Sequence, residues 1–294
     1  MTAPSDKLRV YATVVGLNDY AHGPTKPFTH LSFAERDATR IADFLRAGTS
    51  AFESISFQPF LGRDAQAERI RTDFVTRLQS QRLTSGDVIL FYFAGHGLIT
   101  GDGHVFLCCY DASPRDPTND GLRLDNLYQD VQACNTDAGV VLLLDACFSG
   151  AIASPNVINQ NAAQQMRAIL NGTELFGRGH RVVLAAANEH QGARESAAID
   201  GGAGIFTAEV LRGWRDGAAR GLDGVVSAQR LADYLQQQFG RNPTQQPVTS
   251  VKTTSMLRLG AFPPPAPGQP LVLPQPAAPS RPLYDPAAPL AVYQ

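Results

Sequence analysis

Two residues with reactive side chains each stand at the end of an apolar run. The segment VILFYFAGHG (88–97) leads to His96, and VVLLLDACFSG (140–150) leads to Cys147. A cysteine thiolate is a nucleophile, and an imidazole within hydrogen-bonding reach can act as the base that activates it. The pair therefore predicts nucleophilic catalysis, with His96 as general base and later general acid, if the fold brings the two side chains together.

The two apolar runs predict buried strands whose carboxyl ends carry these side chains. In open α/β sheets, ligands bind at the carboxyl edge of parallel strands, so both residues are placed where a substrate would lie. Gly95 and Gly97 flank His96 and clear space around its ring. The backbone N–H groups of Gly97 and Cys147 are the predicted oxyanion donors.

The segments that must position these residues alternate in type. Residues 1–260 pass between strand-like and helix-like patterns, which predicts an α/β fold with a mostly parallel sheet covered by helices on both faces. The predicted strands span 8–17, 54–62, 88–94, 140–146 and 181–188. The predicted helices span 33–47, 65–81, 124–134, 204–217 and 227–240, with Ser227 as the N-cap of the last. The segment 104–111 is predicted to be a hairpin or an edge strand.

Residues 261–294 differ in composition, because eleven of the 20 prolines lie there. Proline is excluded from helix interiors and central strands, so this segment is predicted to be an extended tail. Two interpretations stay open: a disordered terminus, and a docking segment for a partner through runs such as PAAPSRP (276–282).

Composition excludes several classes of protein. The 25 lysines and arginines nearly balance the 27 acids and form no basic stripe, so we expect neither nucleic acid nor a membrane surface as partner. No segment approaches the ~18 apolar residues of a membrane span, and the N-terminus lacks an apolar signal region, so a cytoplasmic protein is expected. The four cysteines show no CxxC spacing, which argues against a disulfide framework or a zinc cluster.

The two reactive segments resemble motifs of a known family. AGHG (94–97) and DACFSG (145–150) are similar to the paired catalytic motifs of caspase-like cysteine peptidases, the bacterial caspase-domain and metacaspase branch in particular. His96 precedes Cys147 by 51 residues (147 − 96), and in caspases the histidine lies about 50 residues upstream of the cysteine. Weaker resemblances extend over residues 8–260: VVGLNDY (14–20), ERDA (35–38), ANEHQGARES (187–196), GIFTAEVLRG (204–213), DGVVSAQRLADYL (223–235) and QQPV (245–248). The resemblance implies a caspase-like fold and a cysteine endopeptidase with a His96–Cys147 dyad.

The resemblance also implies a pocket for the residue before the scissile bond. In metacaspases this pocket is lined by the aspartate of the D-x-C motif and by an aspartate of the first helix, which match Asp145 and Asp37. Two empty carboxylates repel each other, so such a pocket favours a guanidinium or ammonium group, and cleavage after Arg or Lys is predicted. The alternatives without a pocket are a solvated helix face or cap for Asp37 and a structural hydrogen bond for Asp145.

Other positions depart from the family pattern or extend it. Ala94 stands where metacaspases often have a small polar residue, and Ala34 stands where their first helix has a cysteine. The stretch 151–180 corresponds to the family's processing linker. Its residues Arg167 and Arg178 are the predicted sites of self-cleavage, because long polar segments are where proteolysis concentrates.

The predicted chemistry requires no cofactor, and we predict no metal site. Calcium activation, a metacaspase trait, stays open because the acids at Asp111, Asp116 and Asp120 are too sparse to define a site. The predicted activity is hydrolysis of protein or peptide substrates, in regulated proteolysis or in a bacterial defence or cell-death pathway. The alternatives are a catalytically weak caspase-like pseudoenzyme that binds partners, and a relative with a different acyl-transfer specificity.

Overall fold

The computed structural model describes residues 7–22, 28–48, 51–80, 82–99, 104–113, 116, 120–134, 137–146, 150–151, 179–186, 194–197, 199, 201–240, 247–253, 255–263 and 291–292. Its strands are β1 (Leu8–Gly16), β2 (Phe52–Leu61), β3 (Asp87–Ala94), β4 (Gly97–Ile99), β5 (Val105–Leu107), β6 (Leu122–Arg123), β7 (Gly139–Asp145), β8 (Gly150–Ala151), β9 (Arg181–Ala185), β10 (Arg194–Ser196), β11 (Ala203–Gly204), β12 (Val225–Ser227), β13 (Val248–Lys252), β14 (Arg258–Ala261) and β15 (Ala291–Val292). Its α-helices are α1 (Ala34–Ala47), α2 (Ala67–Ser80), α3 (Leu124–Ala133), α4 (Ile205–Trp214) and α5 (Ala228–Phe239).

One six-stranded sheet forms the centre, with the strand order β13-β9-β7-β3-β1-β2. Neighbouring strands are parallel except for β13, which runs antiparallel to β9. β3 and β7 are direct neighbours, and their register places Ala94 opposite Asp145 at the carboxyl ends. The predicted mostly parallel sheet is confirmed, and the two strands that lead to His96 and Cys147 lie side by side.

The side chains of the central strands alternate between two hydrophobic cores. Leu90 of β3 and Leu143 of β7 pack with α1, α4 and α5 in one core. Phe91 packs with α2 and α3 in the other core. Both faces of the sheet are therefore covered, as the continuous apolar runs predict. Asp145 follows Leu143 by two residues and thus faces α1 and α4.

Smaller sheets surround this centre. β4 and β5 form an antiparallel hairpin, to which β6 and β8 add on either side. Of the predicted segment 104–111, only Val105–Leu107 form a strand, which is one arm of a hairpin whose other arm is β4. The edge-strand alternative is wrong because β5 is paired on both sides. β10 is paired antiparallel with β11 and with β15, and β12 is paired with β14.

The helices lie close to their predicted positions. Ser227 caps α5 as predicted, because its side chain accepts a backbone N–H from the first turn. α4 ends at Trp214, earlier than the predicted residue 217. The N–H of Asp216 donates to the Leu211 carbonyl, and Gly217 has φ +74°, a conformation that ends a helix.

The start of the Pro-rich segment is part of the folded core. β14 ends at Ala261, and Phe262 packs against the core that contains α1. Residues 264–290 lie outside the described residues, and the predicted domain boundary at residue 260 stays a prediction. Within the described ranges, no helix combines the length and the hydropathy that crossing a bilayer requires.

Candidate active site

His96 lies just beyond β3, with only 5% of its surface exposed. Its backbone N–H donates to the Tyr20 hydroxyl at 2.7 Å. The rings of Tyr20 and Phe28, which stack on each other, lie with their centroids 5.2 and 6.1 Å from the imidazole centroid. These contacts fix the position of the imidazole at the carboxyl end of the central sheet.

The orientation of the imidazole is set by a backbone carbonyl. Nε2 of His96 lies 2.8 Å from the Thr29 oxygen, and because a carbonyl can only accept, Nε2 carries a proton. In the neutral ring, Nδ1 is then the basic nitrogen. Burial lowers the pKa of His96, and the bond to Thr29 opposes this effect only in part. The ring is therefore neutral at pH 7 and can accept a proton at Nδ1.

Cys147, the predicted nucleophile, lies outside the described residues. The chain is described up to residue 146, and Asp145 ends β7. The N–H of Gly95 donates to the Asp145 carbonyl at 3.3 Å, which joins the two strand ends. The backbones that lead to the two predicted catalytic residues thus leave the same edge of the sheet side by side.

The glycines beside His96 have different surroundings. A Cβ at Gly95 would lie 3.0 Å from the Phe93 ring and 3.1 Å from the Tyr20 hydroxyl, so a larger residue there would crowd the wall of the site. Gly97 begins β4 opposite Leu107. Its predicted role as an oxyanion donor stays a prediction.

Asp145 is fully buried, and one of its oxygens is held by the first turn of α4. Oδ2 accepts the Thr207 hydroxyl at 2.6 Å and the Thr207 N–H at 3.3 Å. The Tyr92 hydroxyl lies 2.7 Å from the Thr207 hydroxyl and completes a buried chain of hydrogen bonds. The alternative of a structural hydrogen bond therefore accounts for Oδ2 of Asp145. It does not account for Oδ1, which has no hydrogen bond from the described residues.

Asp37 is also fully buried, so the alternative of a solvated helix face is wrong. Its Oδ2 accepts the Gly204 N–H at 2.6 Å. A Cβ at Gly204 would lie 2.5 Å from Asp145 Oδ2 and 2.9 Å from Asp37 Oδ2. The structure therefore brings Asp37 and Asp145 together, because both carboxylates lie against the position that a side chain at Gly204 would occupy.

Burial dominates the electrostatics of this acidic pair. It raises the pKa of Asp37 to about 8, and the neighbouring Asp145 adds to the increase. Burial also raises the pKa of Asp145 to about 7, although the hydrogen bonds from Thr207 oppose it. Among the described residues, no donor hydrogen-bonds to Oδ1 of either aspartate.

Sequence reasoning missed three residues of this cluster. Arg40, one turn after Asp37 on α1, places Nη1 3.7 Å from Asp37 Oδ1. Thr207 and Gly204 belong to GIFTAEVLRG (204–213), and the resemblance of this segment to the family does not single out either residue. The helical spacing of Arg40 from Asp37 was visible in the sequence, but the partners across α4 depend on how α4 packs against the sheet.

The remaining predicted residues lie elsewhere. Arg167 and Arg178 fall outside the described residues. Asp111 accepts the Ala67 N–H at 3.2 Å at the start of α2. Within the described part of the chain, no three His, Cys, Asp or Glu side chains are grouped so as to hold a metal ion.

Comparison with known proteins finds one family and similar solved structures. A family model described as the caspase domain matches residues 9–257. The crystal structure of protein GSU0716 from Geobacter sulfurreducens is similar, with a TM-score of 0.58 and 16% identity over 84% of this chain and 94% of that chain. The structure of pro-sf-caspase-1 is also similar, with a TM-score of 0.51 and 12% identity over 88% of this chain and 93% of that chain. No curated protein matches the chain.

Proposed function

The chain belongs to the caspase-domain family, and on this premise we propose that it is a cysteine endopeptidase with a His96–Cys147 dyad. The observation that carries the proposal is the setting of His96. Its Nε2 is bound to the Thr29 carbonyl, and its ring is buried, neutral and adjacent to the end of the strand that leads to Cys147. With its proton on Nε2, the imidazole has a free lone pair on Nδ1 and can take a proton from a thiol there.

In the proposed reaction, the Cys147 thiol gives its proton to Nδ1 of His96 while Sγ attacks the carbonyl carbon of the scissile bond. The carbonyl oxygen becomes an oxyanion, for which the N–H groups of Gly97 and Cys147 are the proposed donors. His96 then protonates the leaving amine, and the C–N bond breaks to give a thioester. A water that loses a proton to His96 hydrolyses the thioester and releases the thiol and a carboxylic acid.

The acidic pair supports cleavage after arginine or lysine. Asp37 and Asp145 each have a buried Oδ1 that no hydrogen bond from the described residues reaches. A guanidinium is planar and carries several N–H donors, so it can bind two carboxylates at once. Because Arg40 also lies near Asp37, the two carboxylates together leave net negative charge for a substrate cation when both are ionised.

A peptide assay tests the dyad. Purified full-length protein is expected to hydrolyse fluorogenic peptides that end in Arg or Lys, and not peptides that end in Asp. His96→Ala and Cys147→Ala should each abolish hydrolysis, whereas the control variants His104→Ala and Cys134→Ala should keep it. No hydrolysis of any peptide by the folded wild type would favour the partner-binding pseudoenzyme. Thiol-dependent hydrolysis of Asp-ended peptides alone would overturn the pocket assignment.

Self-cleavage after Arg167 or Arg178 is part of the proposal. Incubated wild type should develop new termini after these residues, and Cys147→Ala should stay intact. An intact wild-type chain under conditions in which an Arg-ended peptide is hydrolysed would reject it. The proposed setting is regulated proteolysis or a bacterial defence pathway in the cytoplasm. Proteins cleaved by the wild type and spared by Cys147→Ala would identify the substrates.

A further inference from the structure

Glu195 of β10 is a third carboxylate beside the acidic pair, and nothing in the proposed reaction uses it. Only 1% of its surface is exposed. Its Oε2 accepts the Ser32 N–H at 2.8 Å, and its Oε1 accepts the Phe33 N–H at 2.7 Å. Both oxygens of one buried carboxylate are therefore bound to consecutive backbone amides at the start of α1.

These two bonds hold the two residues that lead into α1. The N-cap residue of α1 is Phe33, which offers no side-chain oxygen, and no side chain of its own segment caps the helix. The first N–H groups of a helix need acceptors, and an anion also interacts favourably with the positive end of the helix dipole. Inside the first turn, the Glu35 N–H donates to Asn18 Oδ1 at 3.0 Å. Glu195 accepts from the N-cap residue Phe33 and from Ser32 before it, and its strand lies 162 residues after Phe33 in sequence.

The same strand also positions the Asp37 carboxylate. In the pairing of β10 with β11, Glu195 lies opposite Gly204. The Gly204 N–H donates to Asp37, which lies one turn after Phe33 on α1. α1 is therefore tied to the β10–β11 pair at two points, by Glu195 at Ser32 and Phe33 just before its first residue, and by Gly204 at Asp37.

We propose that Glu195 is a positioning residue for the pocket, which holds α1 against β10 so that Asp37 and Asp145 together bind the guanidinium of a substrate arginine. The inference rests on the proposed function, because it deepens the specificity of the same site. The residue acts through Asp37 and the helix start, and it does not touch the reacting atoms.

The negative charge of Glu195 should also change the pKa values of the two aspartates, which hydrogen bonds from an uncharged side chain would not do. Among the described residues, the charged or titratable groups that face the acidic pair are Arg40 of α1, Tyr92 of β3 and Glu195 itself. The negative charge of Glu195 helps to raise the pKa of both Asp37 and Asp145. Removal of that charge should lower both pKa values, so the pocket would become anionic at a lower pH.

Two variants separate position from charge. Glu195→Gln keeps the shape but loses the charge and turns an N–H₂ group toward an amide donor. Glu195→Asp keeps the charge but is too short to reach both amides. Both variants should raise KM for an Arg-ended peptide roughly tenfold at pH 8.5, because a tenfold change corresponds to the loss of one charged hydrogen bond. The change in kcat should be less than about threefold. Only Glu195→Gln should shift the pH midpoint of KM to lower pH.

The matched control is Glu209→Gln. Glu209 is also a buried glutamate, with 2% exposure, but it binds Arg212 and Tyr234 away from the pocket. This variant should leave KM and its pH midpoint at wild-type values. Equal effects of Glu195→Gln and Glu209→Gln would overturn the proposal. So would failure of both Glu195 variants to fold where Glu209→Gln folds, since Glu195 would then serve the fold and not the pocket.

A binding measurement separates this inference from the proposed function. If the wild type hydrolyses no peptide, the endopeptidase proposal fails. Calorimetric titration with agmatine, an alkylguanidinium, then tests the pocket by itself. Weaker agmatine binding in both Glu195 variants and unchanged binding in Glu209→Gln would support the positioning role. No binding of agmatine to the wild type at pH 8.5 would overturn it.

Discussion

Asp37 and Asp145 hold protons at a pH where exposed aspartates have lost them. Burial raises their pKa values to about 8 and about 7, respectively. Near pH 7 the pair therefore carries little negative charge, and in the proposed function a cationic side chain must displace protons before the two carboxylates can bind it. The proposed function thus links substrate affinity to proton binding at this pair.

The first prediction concerns the pH dependence of KM. KM for an Arg-ended peptide should fall at least about tenfold between pH 6 and pH 8.5, because both aspartates ionise over this range and tenfold corresponds to one pKa unit. Steady-state kinetics would measure it. A citrulline-ended peptide, which has nearly the same shape and no charge, should show no such fall. A flat KM for the Arg-ended peptide would contradict the assignment of the pair.

The second prediction concerns stability. An acid whose pKa is raised on folding stabilises the protein at low pH, and this contribution is lost as pH rises through the folded-state value. Asp37→Asn keeps an oxygen for the Gly204 N–H and cannot ionise. The variant should therefore gain stability over the wild type on the order of 2 kcal/mol at pH 8.5, and much less at pH 5.

Denaturant unfolding at the two pH values would measure this gain in Asp37→Asn. Asp43→Asn, an exposed substitution on the same helix, should change stability little at either pH. The same Asp37→Asn variant should bind Arg-ended peptides more weakly, so stability and function would change in opposite directions. A variant that is less stable than the wild type at pH 8.5 would refute the electrostatic explanation.

At the level of residues, sequence reasoning found those whose spacing or motif identifies them. Asp145 lies two residues before Cys147 in the sequence, and Asp37 matches a motif on the first helix. Glu195 and Thr207 were missed because their partners come from distant segments. Glu195 contacts amides 162 and 163 residues earlier, and no local pattern encodes such a contact.

At the level of elements, the junction of β11 and α4 contacts the carboxylates of both Asp37 and Asp145. Gly204 ends β11 and is the N-cap of α4. Its α carbon lies where any Cβ would meet Asp145 Oδ2 at 2.5 Å. A strand that turns directly into a helix thus allows both carboxylates to approach the same backbone.

The third prediction tests this junction. Gly204→Ala should raise KM for an Arg-ended peptide more than about tenfold and destabilise the fold by roughly 1–3 kcal/mol, because the methyl group overpacks a buried site. Gly86→Ala is the control, since a Cβ there would meet its nearest neighbour at 3.7 Å. Wild-type kinetics in Gly204→Ala would show that the two aspartates do not act together.

The long elements were predictable and the short ones were not. β3 and β7 are runs of seven or eight buried residues whose composition identifies them. β10 and β11 have three and two residues, too few for a periodic pattern, and their pairing is decided by tertiary contacts. The same cause explains why the hairpin and edge-strand alternatives for 104–111 could not be separated in advance.

At the level of the whole molecule, the site is assembled from two stretches of chain on either side of residues 152–178. The earlier stretch supplies His96 and the two aspartates, and the later stretch supplies Glu195 and the α4 junction. β7 and β9, one from each stretch, are paired along their length, with Leu142 opposite Val183. Buried apolar strands paired in this way hold to each other without help from the covalent connection.

A peptide bond broken anywhere within 152–178 would therefore leave a bipartite protein and not two separate fragments. Nicked material should run as two bands on a denaturing gel and elute as one particle in size-exclusion chromatography, with a volume equal to that of the uncut chain. Separate elution would show that the fragments part. Because each fragment alone lacks some of the groups that surround the proposed arginine site, neither should bind agmatine until the other is added back.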